Sequence, residues 1–162
     1  MAVVDTYVVT GTYPNSVASN SNGAGDLRRA VISFEVDSTD EDGSIYRLMQ
    51  ISANSIITNV MIGNDAITSG TVYHCGFYDV EGGAVVDVDE LGASLDLSAA
   101  HISGSELSAM SAVDVANRDL KVYELLGKTV SNKAMAYDLA LTGATVGSAT
   151  GTVTVFVDFI AG

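Results

Sequence analysis

From Ala30 onward the chain alternates. Ala30, Ile32, Phe34 and Val36 fall on one side, and Val31, Ser33, Glu35 and Asp37 on the other. A period of two is that of a strand with one buried face, so 27–37 is predicted as a strand of an antiparallel sheet. Further runs rich in Val, Ile, Thr and Tyr, bounded by Gly, Asn, Asp and Ser, predict strands at 3–10, 45–52, 55–63, 71–79, 134–142 and 151–160, with a short returning strand at 84–89. An acidic turn, "DSTDEDGS", occupies 37–44, and small-residue turns fall at 64–70 and 80–83.

One segment has a different period. In "VDVANRDLKVYELLGK", 113–128, Val115, Leu120, Tyr123 and Leu126 give a rough apolar helical face. Asp114 stands as a cap before it and Gly127 as a stop behind it. One short helix is therefore expected near 114–126. The Ser/Ala/Gly-rich stretch 92–113 gives no assignable period.

The segments "NVMIGNDAITSGTVYHCGFYD" and "YDLALTGATVGSATGTVTVFVDF" share a layout of strand, small-residue loop and a second strand opened by "GTV". They read as two hairpins of one size. Seven or eight strands and one helix predict a mainly β fold, an antiparallel β-sandwich of jelly-roll-like form. Residues 1–26 are expected as an N-terminal strand and flexible arm or loop, and 27–162 as the sandwich of a single domain. The loop 11–26 reads either as a solvated connector or as an arm lying on a neighbouring subunit.

Charge narrows the partners. The 162 residues carry 20 acidic and 7 basic side chains, a net charge of −13. Such a chain repels phosphate backbones and anionic membranes, so neither nucleic acid nor membrane is expected as a partner. A basic protein surface or bound cations suit it better. No apolar run approaches the roughly 18 residues of a membrane span, and no signal peptide is expected at the start. One cysteine allows no internal disulfide.

The candidate chemistry is sparse. His74 and Cys75 are neighbours on a predicted strand, so their side chains point to opposite faces and cannot share a metal without a bulge. Tyr73, Cys75 and Phe77 share one face and His74, Gly76 and Tyr78 the other, which makes Cys75, between two aromatics, a small buried hydrophobe. The remaining histidine, His101, carries no recognisable motif. Asp87 and Asp89 share a face and, with Glu90 beside them, offer the start of a Ca²⁺ site or simply a solvated acidic edge. The turn acids Asp37, Asp40, Glu41 and Asp42 fail the EF-hand template: with Gly43 as its glycine, the first and last ligands become Ser38 and Met49. No nucleotide-binding glycine motif or nucleophile elbow occurs. No catalytic, cofactor-binding or metal residue is expected, and the protein reads as a non-enzyme acting by surface and shape.

The stretch "IYRLMQISANSIITNVMIGNDAITSGTVYHCGFYDVEGGAVVDVDEL" and the ending "YDLALTGATVGSATGTVTVFVDFIAG" resemble small structural proteins of tailed-bacteriophage virions, over about two thirds of the chain. The resemblance implies a β-sandwich head decoration or cement protein, binding the major capsid protein on the outside of the shell. It further implies residence in a virion assembled in the host cytoplasm, and no cofactor. Cys75 departs from it, standing where an aliphatic residue is usual. Self-association as a homo-oligomer is expected from sandwich edge strands such as 3–10 or 151–160 pairing across a dimer. The alternatives are a tail- or fibre-associated virion protein, or a jelly-roll module binding carbohydrate or Ca²⁺ through Asp87 and Asp89. A small hydrolase is the third class.

Overall fold

The computed structural model describes residues 5–7, 26–67, 71–129 and 135–162. Nine strands follow in order among them: β1 (Asp5–Tyr7), β2 (Leu27–Val36), β3 (Ile45–Ser52), β4 (Ile56–Asn64), β5 (Val72–Asp79), β6 (Val85–Asp96), β7 (Leu107–Ser108), β8 (Ala136–Thr145) and β9 (Gly151–Ile160). They form two sheets, β1-β3-β8-β5-β6 and β2-β9-β4-β7. All pairings are antiparallel except β1 with β3, which is parallel.

Strand order identifies the topology. From β2 to β9 the chain changes sheet at every connection but one, staying within a sheet only between β5 and β6. Four strands ordered β2-β9-β4-β7 facing four ordered β3-β8-β5-β6 make the double-sheet jelly roll of two Greek keys, with β1 added at one edge. The expected sandwich is thus present.

The core fills the space between the sheets. Ala30, Ile32 and Val36 of β2 are buried and Phe34 packs beside them, as the alternation predicts. Leu48, Val60, Leu139 and Val155 meet them from β3, β4, β8 and β9.

Three expectations change. The two supposed hairpins are not hairpins, because β4 and β9 lie in one sheet and β5 and β8 in the other. Their loops arch between sheets, which stack about 10 Å apart. The two arches lie side by side through the β4–β9 and β5–β8 pairings. Strand β9 (151–160) is consequently central, not an edge available for pairing with another chain. The returning strand expected at 84–89 runs on to Asp96.

The helical segment is present but divided. Asp114 caps a 3-10 turn, Val115–Asn117, by accepting from the Ala116 N–H at 2.8 Å. A one-turn helix α1 follows at Val122–Leu125. The N–H groups of Val122 and Tyr123 donate to the carbonyls of Ser55 and Ala53, so the helix start is stitched to the β3–β4 turn. Gly127, at φ 64°, ends it: its N–H reaches the Glu124 carbonyl and that of Lys128 reaches Tyr123. This is a Schellman closure, which favours glycine at that position. The arm expected at 11–26 lies outside the described residues, apart from Asp26.

Candidate functional site

Strand β5 separates His74 from Cys75 as alternation requires. Cys75 is 0% exposed, in the core with Tyr73 and Phe77. Burial pushes its thiol up to about 12, so the nucleophilic thiolate is suppressed. His74 is on the opposite face, where its Nδ1 accepts from the Ser94 N–H at 3.1 Å. His101 is bridged to Asn64 through paired backbone hydrogen bonds, and its Nε2 lies 3.1 Å from the Asp96 carbonyl. The two imidazoles are engaged by separate backbone partners.

The acids divide in the same way. Asp37 accepts from the Thr39 N–H and hydroxyl, both at 2.8 Å, and these bonds lower its pKa. Asp42 accepts from the Val146 N–H at 2.7 Å. Asp40 is buried and accepts from the Tyr46 hydroxyl. The turn 37–44 therefore uses its carboxylates to hold its own backbone and to tie β3 to the β8–β9 arch.

The acids of β6 sit in an irregularity that alternation could not reveal. Phe77 pairs with Asp87 and Cys75 with Gly92, so five steps along β6 oppose two along β5. The excess of three residues is a large, irregular bulge, and strict face-sharing of Asp87 and Asp89 is lost. Asp87 accepts from the Asp89 N–H at 3.2 Å. Burial first, then Asp87 and Asp89, raise the pKa of Glu90. The bulge crosses directly over Gly76. A Cβ there would collide with the backbone of Asp87 and Val88. Among the described residues, no three His, Cys, Asp or Glu side chains are grouped to hold a metal ion.

A buried charged hub lies on the face of the β3–β8–β5 sheet turned away from the core. Arg47 donates hydrogen bonds through all three of its guanidinium nitrogens: Nε and Nη2 to the Asp5 carboxylate, Nη1 to Asp138 and to the Asp79 carbonyl, Nη2 also to the Gly83 carbonyl. Its guanidinium carbon stands 4.8 Å from the centre of the Tyr78 ring. Tyr78 in turn shares a 2.8 Å hydrogen bond with Thr142. One side chain thus fixes β1, the β5–β6 turn and β8 to β3. The sequence "IYRL" marked the strand but not this role. The one available sign was an arginine inside an otherwise apolar strand.

The shallow hollows among the described residues include these two. One of about 530 Å³ is bordered by Asp79, Val85, Lys128, Met135 and Tyr137. The other, about 310 Å³, has His101, Glu106 and Thr152 around Phe156. Neither brings a nucleophile to a base.

The outer face of the β2-β9-β4-β7 sheet carries an apolar row between two polar pairs. Val31, Phe156 and Met61 lie in one row across it. The Arg29–Asp158 pair flanks this row on one side, at 2.6 and 2.7 Å, and the Ser33–Thr154 hydroxyl pair flanks it on the other.

No family model matches the chain, and no curated protein matches it. Two solved structures share its fold. A chain in the capsid of Ralstonia phage GP4 superposes with a TM-score of 0.59 at 16% identity, over 87% of this chain and 88% of that one. A chain in the capsid asymmetric unit of cyanophage Pam1 gives 0.52 at 15% identity, over 94% and 98%. The jelly roll described above is therefore similar, along nearly its whole length, to chains found in two phage capsids.

Proposed function

We propose that the chain is a non-enzymatic structural protein of a bacteriophage particle, a decoration or cement protein that bridges major capsid protein subunits on the outer shell. The observation that carries this reading is similarity of fold, over 87% and 94% of the chain, to chains of two phage capsids. The local chemistry agrees with it: the thiol is buried, and Asp37, Asp40 and Asp42 of the 37–44 turn each accept a hydrogen bond within the fold. A cement protein works by many modest contacts repeated over a symmetric shell, which gives avidity without one tight site. The −13 charge faces solvent or a basic shell surface. Charge attraction fades beyond roughly 8 Å in physiological salt, so apolar contacts hold the remainder. The protein joins the particle in the host cytoplasm and remains with the virion.

The test is co-sedimentation of the purified chain with capsids that lack it. It should bind the shell, and high salt should weaken attachment only partly. Failure to sediment with capsids contradicts the reading. Complete release at moderate salt contradicts the apolar share of the contact.

A further inference from the structure

The four sheet edges are unequal. Strand β7 has two residues, and β1 offers three described residues in a parallel pairing. Strand β6 is broken by repeated register shifts. Strand β2 alone is long and regular: Leu27–Val36 pairs with β9 without one shift. No strand lies on its other side among the described residues. Such an edge presents a row of N–H and C=O groups ready to extend the sheet. It has no proline or bulge to blunt it, and its outward side chains Leu27 and Val31 are 66% and 56% exposed.

We propose that β2 pairs antiparallel with β2 of a second copy across a twofold axis at Ile32, fusing two four-stranded sheets into one of eight. The charges select this partner and this register. In an antiparallel pair the numbers of opposed residues have a constant sum. With Ile32 on the axis, Arg29 faces Glu35 of the other copy, and Glu35 faces its Arg29, all on the outer face. Moving the axis to Val31 sets Arg29 against Ser33, and moving it to Ser33 carries Arg29 past the strand end. Each group keeps an atom for the contact. Arg29 binds Asp158 through Nε and Nη2, leaving Nη1. Glu35 accepts from Thr152 on Oε2, leaving Oε1. On the core side the same register lays small Ala30 beside Phe34, a half-buried ring stacked on Tyr46 at 4.6 Å. Self-complementarity of this kind is what an isologous dimer requires, and opposed charges across strands stabilise it while like charges oppose it. The inference stands apart from where the protein resides.

Sedimentation velocity on the full chain at micromolar concentrations, with thermal melts as folding controls, tests it. The expected mass is that of two chains. Glu35→Arg turns two attractive pairs repulsive and should weaken self-association about tenfold. Register is read by disulfide trapping. Opposed cross-strand Cα atoms lie about 4.5–5.5 Å apart, within disulfide reach. Val31→Cys chains mixed with Ser33→Cys chains should therefore cross-link on mild oxidation, and Val31→Cys chains alone should not, with buried Cys75 silent. A single-chain mass, a mass other than two chains, a dimer indifferent to Glu35→Arg, or Val31→Cys chains linking equally well to one another would overturn the proposal.

Discussion

The Arg47 guanidinium stands 3.1 Å from the Asp138 carboxylate, and both side chains are only 1% exposed. A pair this deep has lost its hydration, so its partners depend on each other more than a surface pair does. Arg47→Met removes the cation beside a buried carboxylate and should cost about 3–5 kcal/mol. The Arg47→Met/Asp138→Leu double variant should recover most of that loss. Asp5, whose side chain is 41% exposed, should matter much less. Asp5→Asn is expected to cost about 1 kcal/mol or less, since solvent screens it. Urea titrations of the four proteins measure all of this. An Arg47→Met variant as stable as the parent would show that the hub does not hold the sheet.

Gly76 makes a sharper geometric prediction. The β6 bulge occupies the position where its Cβ would be. Gly76→Ala should destabilise by about 1–3 kcal/mol, as overpacking does. Gly104→Ala isolates backbone strain from collision: its φ is positive, at 90°, unlike that of Gly76, but no atom lies within 4 Å of a Cβ there. It should lose about 1–2 kcal/mol from backbone strain alone, with no collision added. Thermal denaturation of both variants tests the contrast.

Cys75 should behave as a core methyl-sized group and not as a thiol. The folded protein should resist an aromatic disulfide reagent at neutral pH, and the urea-unfolded protein should react at once. Cys75→Ala should leave shell binding unchanged. Rapid labelling of the folded chain would refute the placement of β5.

Acid should weaken the fold by a stated route. Hydrogen bonds from Arg29 lower the pKa of Asp158, those from Thr39 lower Asp37, and those from Ser98 lower Asp96. A carboxylate whose pKa is lower folded than unfolded contributes stability above the unfolded value, about 3.9 for Asp. That contribution disappears as pH falls through the folded value. Glu90, raised by burial, acts in the opposite sense but alone among the shifted carboxylates of the described residues. Urea midpoints should therefore hold between about pH 7 and 5 and fall below about 4. The gap between the parent and Asp158→Asn should close across the same acid range. A gap that is constant with pH would mean that the Arg29 pair contributes nothing.

Much of this fold was legible in the chain because alternation reports a face directly. Ala30, Ile32 and Val36 turned inward as read, and 45–52 and 151–160 began and ended as read. Alternation does not say which sheet a strand joins. Residues 55–63 and 71–79 therefore looked like a hairpin and became an arch between layers. The β6 bulge was hidden for a related reason: its driving contact is with Gly76, on another strand. Arg47 was equally opaque, since its partners lie at positions 5, 79, 83 and 138. The separation of His74 from Cys75, by contrast, needed only one strand and was legible at once.

A place on the outer shell of a phage particle is proposed for this sandwich. An image reconstruction of the virion, fine enough to resolve sheets, addresses it directly. Jelly-roll density is expected on the outside of the head, resting on neighbouring shell subunits. A particle whose head carries no such density would contradict it.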